Sequence, residues 1–363
     1  MSLIGVMQVV DTLDVGGAER VAVSLANCLP RDRYHSHLCT TRREGPLSAL
    51  IAQDAGRLAL NRRRTLDLAA LWRLARYIRK HGIQVLHAHG HASAIAVAAA
   101  RLSLHPRVIA HFHFGRLASE NRRPMALRLA ARLIDGAIVV NEQLEAWARE
   151  RLGISPERVW YIPNFVVLNN GGAATSLPGL AGKRLVCVAN IRPEKDHATL
   201  LRAMAVVLKS VPDAHLLLAG AVSDASLART LKELAAELNV APHVTWLGPR
   251  EDVAAVLRAC DIGVLSSSSE GLPLALIEYG MAGLAAVATN VGQCGEVIEY
   301  GKGGRLVASG DPEALAEAIG GLLHNTKARR ELAARFSART RATYSVEAVL
   351  PRICNVYETV MEV

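Results

Sequence analysis

Two glutamates in the second half of the 363-residue chain are eight residues apart, in the segment SSSSEGLPLALIEYGM from Ser266 to Met281. An apolar run, Ile262 to Leu265, precedes this segment and is typical of a buried strand. Glu270 ends the polar loop, Glu278 lies within a helical pattern, and four residues lead into that pattern: Gly271, Leu272, Pro273 and Leu274. Because proline is favoured in the first turn of a helix, a helix N-terminus is predicted here. Its amide groups could bind an anionic phosphate.

The spacing of these glutamates suggests what they could hold. Eight residues correspond to about 12 Å along a helix, too far for a shared acid–base pair but suited to two ends of an extended ligand such as a nucleotide-sugar. Glu142 and Glu150 share the spacing, but they lie in the polar run EQLEAWARE, which we interpret as a solvated helix face. The strand, loop and helix context therefore favours Glu270 and Glu278.

A second candidate segment is VANIRPEKDH, from Val188 to His197, at the end of another apolar strand. Arg192 and Lys195 place two cations in a strand-to-helix loop, and such groups bind phosphate oxygens as a planar fork and as a point charge. They could neutralise a departing diphosphate without a metal ion. The alternative is a solvated loop with ion pairs through Glu194 and Asp196.

Glycines and histidines mark the corresponding loops of the first half. Gly16 and Gly17 follow the first apolar strand and allow a ligand to approach the backbone closely. Histidines follow two later strands: His87, His89, His91, His111 and His113. A zinc site needs three or four ligands in a fixed shell, and no cysteine or suitable acid stands nearby in the sequence, so no metal site is predicted. Imidazoles that contact a sugar are the favoured interpretation.

Short apolar runs alternate with helical patterns along the whole chain, which predicts an α/β fold of doubly wound parallel sheets. A stretch rich in Asn, Gly, Ala and Pro, residues 169–182, divides them into two series. The expected organisation is a Rossmann-like domain at 1–168, a linker at 169–182 and a second Rossmann-like domain at 183–343. Ligands of such sheets bind beyond the carboxyl ends of the strands, so two facing domains would bind in the cleft between them. The sequence lacks both G-x-G-x-x-G and G-x-x-x-x-G-K-[ST], which weighs against a dehydrogenase and a P-loop ATPase.

The net charge of +9 is concentrated in the first half of the chain. Residues 1–175 contain 23 Lys and Arg against 13 Asp and Glu, whereas the remainder contains 19 against 20. Few aromatic residues accompany this charge, so nucleic acid is not an expected partner. Basic clusters could instead contact an anionic membrane or a pyrophosphate-linked lipid: Arg62 to Arg64, Arg73, Arg76, Arg79, Lys80, Arg122 and Arg123. A merely solvated basic surface is the alternative. The six scattered cysteines and the lack of a spanning apolar run predict a cytoplasmic protein, with peripheral attachment to the inner face of the membrane as an option.

Taken in order, six segments resemble the retaining glycosyltransferases of family 4, which have the GT-B fold. The segments are GGAE, HFH, IPNF, NIRPEKDH, LLLAG and EGLPLALIE. The resemblance extends from about Gly16 to Asp311. It departs from the family pattern at Ile162 to Phe165, where IPNF replaces the usual IPNG, so the hinge is expected to differ in detail.

The resemblance also implies roles for individual residues. Glu270 would lie by the donor sugar and Glu278 would hold the ribose, while Arg192 and Lys195 would bind the diphosphate. Gly16 and Gly17 would approach the phosphate and sugar from the other domain. The histidine near the transferred sugar would be His113, with His111 as the alternative. The resemblance further implies that residues 344–363 form a helix that crosses back to the first domain. Apart from the resemblance, the position of Arg250 in the loop after the apolar strand Val244 to Trp246 makes it the expected contact to the base.

The implied reaction moves a hexose or N-acetylhexosamine from a nucleotide-sugar, most often a UDP-sugar, to an acceptor hydroxyl with retention at the anomeric carbon. Because the sequence gives no reason to expect two carboxyl groups about 5 to 5.5 Å apart, we expect a same-face mechanism in which Arg192, Lys195 and the helix amides stabilise the leaving UDP. The acceptor would be a glycan or a lipid-linked saccharide in polysaccharide synthesis, and no cofactor or metal is expected. A nucleotide-sugar epimerase of the GT-B fold and a non-catalytic nucleotide-sugar sensor are the alternatives.

Overall fold

Parallel strands and covering helices alternate through all of the chain that the computed structural model describes, which is residues 3–64, 67–103, 105–113, 131–168 and 176–362. The chain divides into two units. One comprises Met1–Phe165 with Val346–Val363, and the other comprises Val166–Ser345. The α/β class and the two parallel sheets predicted from the sequence are confirmed. Of the expected linker, residues 169–175 lie outside the described part of the chain.

The first unit is built on a sheet with seven described strands in the order β3-β2-β1-β4-β5-β6-β7. Their bounds are β1 Ile4–Thr12, β2 Tyr34–Arg43, β3 Gly56–Ala59, β4 Ile83–His89, β5 Arg107–Phe112, β6 Gly136–Val139 and β7 Val159–Tyr161. The central strands are buried on both faces, which is why they appear in the sequence as continuous apolar runs rather than as alternating patterns. Strand β3 was not predicted: it is four residues long, only partly buried and at the sheet edge.

Helices cover this first sheet. The described ones are α1 Gly17–Cys28, α2 Leu68–His81, α3 Ser93–Arg101, α4 Glu142–Glu150 and, at the end of the chain, α12 Val346–Glu362. Capping fixes several of their ends. Asp67 accepts a hydrogen bond from the amide of Ala70 at the start of α2, and Gly82, with φ of 59°, ends that helix in the left-handed conformation that glycine adopts most readily. Asn141 caps α4 in the same way as Asp67 caps α2.

The second unit has six strands in the order β10-β9-β8-β11-β12-β13. They are β8 Arg184–Val188, β9 His215–Ala219, β10 Val244–Gly248, β11 Ile262–Leu265, β12 Ala285–Thr289 and β13 Arg305–Val307. The helices are α5 His197–Ser210, α6 Ala225–Glu237, α7 Val253–Arg258, α8 Leu274–Ala282, α9 Cys294–Val297, α10 Pro312–His324 and α11 Thr326–Tyr344. Apolar side chains of α5, α6 and α10 pack in one cluster with the sheet, those of α7 and α8 pack in another, and α11 contributes to both.

The strand order reverses once in each sheet. In the first unit β1 lies between β2 and β4, and in the second β8 lies between β9 and β11. Loops leaving the two strands at such a switch point diverge to opposite faces of the sheet and open a crevice at their carboxyl ends. The topology therefore selects the loops after β1, β4, β8 and β11 as binding positions.

The last helix, α12, belongs to the first unit although it follows the whole second unit in sequence. Its buried side chains, including Val356, Tyr357 and Val360, pack with Val6 and Tyr34 in one apolar cluster. Burying several large side chains of this kind contributes about 1.5 to 3 kcal/mol each, which explains why a helix so distant in sequence is held on this sheet.

The basic clusters of the first unit are not equally exposed. Arg62 is buried and lies 3.4 Å from Asp11, so it is not part of a surface cluster. Arg73, Arg76, Arg79 and Lys80 are exposed along α2, while Arg122 and Arg123 lie outside the described residues. Among the described residues, no helix is long and apolar enough to cross a membrane.

Candidate functional site

Two loops at the switch point of the second sheet are hydrogen-bonded to each other. One follows β8 and carries Glu194 and Lys195; the other follows β11 and carries Ser266 and Ser268. The Ser266 hydroxyl donates to the Lys195 carbonyl at 3.0 Å, and the Ser268 amide donates to the Glu194 carbonyl at 2.9 Å. These bonds hold the two candidate segments side by side, although about 75 residues separate them in sequence.

Lys195 and Glu270 form an ion pair at the centre of this arrangement. The Lys195 Nζ lies 2.6 Å from the Glu270 Oε1, and the Ser267 hydroxyl donates to the same oxygen at 2.6 Å. The Glu270 side chain is only 9% exposed and that of Lys195 is 24% exposed. A desolvated carboxylate with two donors is held in a single orientation, while the ammonium group still reaches solvent and can meet an anionic ligand.

Helix α8 starts immediately after this pair. Pro273 is its N-cap residue and provides no side-chain cap, so the first amides of the helix are not covered by a capping side chain and can bind an anion. The helix begins at Leu274, four residues after Glu270. The estimate of 12 Å along a helix between the two glutamates is therefore wrong, because half of that segment is loop.

The backbone at Gly292 packs closely against the loop that carries Glu270 and supports it. Gly292 has a φ of 50°, and a Cβ atom there would lie 2.2 Å from the Glu270 carbonyl oxygen. The Gln293 amide donates to the Gly271 carbonyl at 3.1 Å. Any larger residue at position 292 would displace the loop and with it the carboxylate.

Tyr279 fixes the helix that carries Glu278. Its ring is fully buried, and its hydroxyl accepts from the Val188 amide at 2.8 Å and donates to the Val264 carbonyl at 3.2 Å. A Cβ atom on Gly263 would lie 2.3 Å from the ring, so glycine is required in β11 at this point. Burial raises the pKa of Tyr279 well above its ordinary value, which keeps the hydroxyl a neutral donor. Glu278 is thereby held in a buried position beside a rigid ring.

The other predicted cations lie nearby in sequence but are differently engaged. Arg192 is exposed, and its Nε donates to the Ser223 hydroxyl at 3.3 Å. Arg250 forms a bidentate pair with Asp252, with 2.7 Å from Nε to Oδ1 and 2.6 Å from a terminal nitrogen to Oδ2. A nucleotide base at Arg250 would therefore meet a guanidinium whose orientation is already fixed.

In the first unit, Gly16 and Gly17 lie where β1 leads into α1. Gly16 is the N-cap residue and Gly17 the first residue of the helix. A Cβ atom on Gly16 would lie 2.2 Å from a carboxylate oxygen of Glu19. Burial raises the pKa of Glu19. A ligand at this turn would therefore meet open backbone and, beside it, a desolvated carboxyl group.

His113 follows β5 and has protein partners on both ring nitrogens. Its Nδ1 lies 3.0 Å from the Asn164 Oδ1, and its Nε2 lies 2.8 Å from the Nδ1 of His89. Burial lowers the pKa of His113 to about 4, against a smaller opposing effect of the bond to Asn164. The ring is therefore neutral at physiological pH.

Three of the other histidines do not match the expectation of imidazoles that face a sugar, and the side chain of His91 lies outside the described part of the chain. His87, His89 and His111 are buried within the ends of strands β4 and β5 and bond to protein groups. Strands β4 and β5 end at His89 and Phe112, beyond the ends at His87 and His111 that the sequence suggests, so His89 lies within the sheet as well. His111, the alternative to His113, is 1% exposed, whereas His113 is 8% exposed.

The departure from IPNG has a structural counterpart. Phe165, in place of glycine, is buried in the apolar cluster that contains α12, and Asn164 bonds to His113.

Two residues of the candidate site were not predicted from the sequence: Ser267, which bonds to Glu270, and Tyr279. The run of four serines gave no means of choosing one of them, and a tyrosine within an apolar helix resembles an ordinary core residue.

The two doubly wound units, with a lysine–glutamate pair and an uncapped helix start at the switch point of the second, have the architecture of GT-B glycosyltransferases. The family model described as Glycosyltransferase Family 4 matches residues 15–170, and the one described as Glycosyl transferases group 1 matches residues 179–342. The chain belongs to the family 4 glycosyltransferases.

Curated relatives cover most of the chain. A phosphatidyl-myo-inositol mannosyltransferase of Mycobacterium leprae is 30% identical over 298 residues, which are 79% of this chain and 76% of the relative. An Escherichia coli galactosyltransferase, named for UDP-Gal and α-D-GlcNAc-diphosphoundecaprenol, is 24% identical over 84% of each chain. A D-inositol 3-phosphate glycosyltransferase of Corynebacterium urealyticum is 31% identical over 52% of this chain, and the match spans 46% of that relative's length.

Solved structures have the same fold. The Anabaena protein HepE, crystallised with UDP and glucose, superposes with a TM-score of 0.80 at 19% identity and covers 98% of this chain and 100% of its own. At this level of identity the likeness establishes the fold, and the GT-B architecture expected from the sequence is confirmed.

Proposed function

We propose that this chain is a retaining, metal-independent glycosyltransferase that moves a hexose or N-acetylhexosamine from a UDP-sugar to a hydroxyl of a glycan or lipid-linked saccharide. The observation that carries the proposal is the Lys195–Glu270 pair beside the start of α8. It combines an ordered carboxylate, a solvent-reaching cation and uncapped helix amides within one crevice of the second sheet. A UDP-sugar offers a hydroxylated ring and a diphosphate to match these groups.

In this mechanism the bond between the anomeric carbon and the β-phosphate oxygen breaks while the acceptor oxygen bonds to the same face of the carbon. The acceptor proton passes to an oxygen of the leaving phosphate. Lys195, Arg192 and the first amides of α8 stabilise the negative charge that develops on UDP, which is electrostatic preorganisation at the site of charge development. Glu270 positions Lys195 and contacts the sugar, while Glu278 holds the ribose.

The UDP and the acceptor class are supported by the names of similar proteins. HepE was crystallised with UDP, and the E. coli relative is named for UDP-Gal and an acceptor linked to a lipid through a diphosphate. The M. leprae relative is named for a phosphatidyl-inositol acceptor. Acceptors of this kind are presented at a membrane, and we extend the proposal to an acceptor on a lipid carrier used in polysaccharide synthesis at the inner face of the membrane.

Helix α2 supports a peripheral contact with that membrane. Leu68, Trp72 and Arg76 follow one another at intervals of four residues, which places them along one face of the helix. Leu68 is 78% exposed, Trp72 is 55% exposed, and the Arg76 guanidinium lies 5.5 Å from the centre of the Trp72 ring. An exposed tryptophan accompanied by cations suits the boundary between lipid headgroups and acyl chains.

The experiment is a donor screen followed by product analysis. UDP-glucose, UDP-galactose, UDP-N-acetylglucosamine and GDP-mannose are compared by thermal shift, since a ligand that binds only the folded state raises its stability, by about 2.7 kcal/mol at a hundred times Kd. The stabilising donor is then incubated with diphosphate-linked lipid acceptors, and the anomeric configuration of the product is read by NMR. Stabilisation by GDP-mannose alone would overturn the choice of UDP, and inversion in the product would overturn the retaining mechanism. Conversion of UDP-sugar without an acceptor would identify an epimerase instead.

A further inference from the structure

Seven buried polar side chains of the first unit form one continuous hydrogen-bonded chain. They come from β1, β4, β5 and the residue that follows it, the segment after β7 and helix α12, and each is at most 8% exposed. We call this set the histidine chain; its members in order are Asn164, His113, His89, Gln8, Tyr357, His87 and His111. Since buried polar groups must be paired to avoid a desolvation cost, each member of the histidine chain depends on its neighbours for its partners.

The first half of the histidine chain runs from Asn164 to Gln8. The Asn164 Oδ1 lies 3.0 Å from the His113 Nδ1, the His113 Nε2 lies 2.8 Å from the His89 Nδ1, and the His89 Nε2 lies 2.9 Å from the Gln8 Oε1. The rings of His89 and His113 stack with an angle of 11° between their planes. Both nitrogens of both rings are therefore engaged.

The second half passes through the last helix. The Gln8 Nε2 lies 3.2 Å from the Tyr357 hydroxyl, which lies 2.7 Å from the His87 Nδ1; the His87 Nε2 then lies 3.0 Å from the His111 Nδ1. Tyr357 is fully buried and is the only member that α12 contributes among the described residues. The far nitrogen, His111 Nε2, is buried and has no hydrogen-bond partner in the described part of the chain.

Proton positions along the histidine chain are coupled. A neutral imidazole has one donor and one acceptor nitrogen, so fixing the proton on one ring fixes it on the next. Burial lowers the pKa of His113 to about 4 and of His87 to about 3, and it holds the pKa of His89 and His111 well below the ordinary value, so all four rings are neutral. Two arrangements satisfy every link and also give the Tyr357 hydroxyl proton an acceptor within the histidine chain: all four rings protonated on Nδ1, or all four on Nε2.

The amide groups and the open end of the chain select between the two arrangements. Carbonyl oxygens of Asn164 and Gln8 bracket the His113–His89 pair, so a neutral pair requires one of these amides to present its NH₂ group instead. If Gln8 does so, every ring carries its proton on Nδ1 and His111 Nε2 is left as a buried acceptor. If Asn164 does so, His111 Nε2 is left as a buried donor without a partner among the described residues, and among backbone groups buried donors are left unpaired less often than buried acceptors.

We propose that Tyr357 of the C-terminal helix, acting with Gln8 through the histidine chain, is a positioning residue that holds His113 in its Nδ1-protonated, neutral form. The proposal rests on the proposed function only where it connects His113 to sugar transfer. It makes α12 part of the support of the candidate active-site histidine, rather than only a packed terminal helix. It also removes His113 from acid–base chemistry, because both of its nitrogens are committed to the protein.

A metal ion is the competing occupant of this region. His87, His89 and His111 could bring one nitrogen each to within 4.8 Å of one another. However, the rings of His87 and His89 stack at 11°, so their lone pairs lie in parallel planes and do not converge. Every ring nitrogen of the three except His111 Nε2 is already in a hydrogen bond. The contacts therefore favour the hydrogen-bonded chain, and metal binding is an outcome of the test.

The test uses Tyr357→Phe, which removes the hydroxyl at the middle of the chain and keeps the ring. Tyr34→Phe is the matched control. Tyr34 packs edge-on against Tyr357 in the same cluster, and its hydroxyl donates to Glu358 and not to a member of the histidine chain. Long-range proton–nitrogen NMR spectra of the full chain with labelled histidine read the tautomer of each ring. Assignment uses substitution of one histidine at a time.

In the wild type and in Tyr34→Phe, the four rings are expected to share the Nδ1–H form. In Tyr357→Phe, His113 is expected to become a mixture of the two tautomers. The kcat for sugar transfer is expected to fall by roughly tenfold or more, as when other partners that orient a functional histidine are removed. The KM for the donor is expected to change little. Unchanged His113 signals in a folded Tyr357→Phe would overturn the proposal. So would retention of one equivalent of Zn²⁺ after dialysis. The spectra need no turnover, so the tautomer result stands even if the protein proves not to be a glycosyltransferase.

Discussion

Replacing Lys195 by methionine tests the candidate donor site most directly, because it removes the cation of the Lys195–Glu270 pair while keeping the length of the side chain. Glu270 is 9% exposed, and it would retain the Ser267 hydroxyl as its one remaining donor. Leaving a buried charge unpaired costs about 3 to 5 kcal/mol. Because Lys195 is 24% exposed and water can partly replace it, we expect the free energy of unfolding to fall by less than a fully buried pair would lose, by about 2 to 3 kcal/mol.

The double variant Lys195→Met with Glu270→Gln separates stability from catalysis. The glutamine carbonyl can still accept from Ser267, and no uncompensated charge remains, so unfolding in urea is expected to return to within about 1 kcal/mol of the wild type. Release of UDP is expected to stay about 10²- to 10³-fold lower in kcat, the usual loss when one group that stabilises a developing negative charge is removed. Lys209→Met is the control, because Lys209 is exposed at the end of α5 and away from these loops.

The assay measures UDP release at saturating and limiting donor, together with urea unfolding of each variant. The charge-stabilising role is wrong if Lys195→Met turns over at the wild-type rate at both donor concentrations. It is also wrong if the double variant recovers activity together with stability, since the lysine would then serve only to pair the carboxylate.

Three further predictions concern the buried histidines, helix α2 and the role of metal ions. The buried histidines have pKa values below the 6.5 of an unfolded chain, about 3 for His87 and about 4 for His113 and His197. Between these values and pH 6.5 the unfolded state therefore binds more protons than the folded state. The free energy of unfolding should be highest above pH 6.5 and fall toward pH 4 by up to about 1.4 kcal/mol per pH unit for each histidine. Urea titrations at pH 7.5 and 5.5 with equal midpoints would contradict this. Trp72→Ser with Arg76→Ser should weaken binding to anionic vesicles at least about fivefold, since one basic side chain contributes about 1 kcal/mol; Arg305→Ser, an exposed change in the second unit, is the control, and binding that is indifferent to the α2 change would rule that helix out. EDTA should leave sugar transfer unchanged, because Lys195 and Arg192 supply the positive charge; loss of turnover that Mg²⁺ restores would show that a metal takes part.

Much of the fold can be read from the sequence because parallel strands buried on both faces are continuous apolar runs. Runs such as Ile262 to Leu265 correspond to β11 residue for residue. Strand β3 was not predicted, because a short edge strand buries few side chains and needs no continuous apolar run. The end of β4 was predicted at His87 and lies at His89, because the polar His89 falls outside the apolar run although its ring is buried.

The candidate donor site was accessible for a related reason. In a doubly wound sheet the binding loops follow the strands at the switch point, so chemistry-bearing residues just after apolar runs are natural candidates. Arg192, Lys195 and Glu270 were all selected in this way. The sequence could not pair Lys195 with Glu270, because 75 residues separate them and only the adjacency of β8 and β11 brings their loops together.

The sequence by itself determined the elements, the class of sheet and the segments with ligand chemistry, since these depend on local composition and spacing. Tertiary structure alone decided which of those side chains meet. It placed Tyr357, 270 residues after His87 in the chain, against that imidazole, and it buried histidines that local pattern had assigned to ligand-facing loops. Hydrogen-bond partners of this kind are fixed by the packing of whole elements against each other. The spacing of residues along the sequence does not specify that packing.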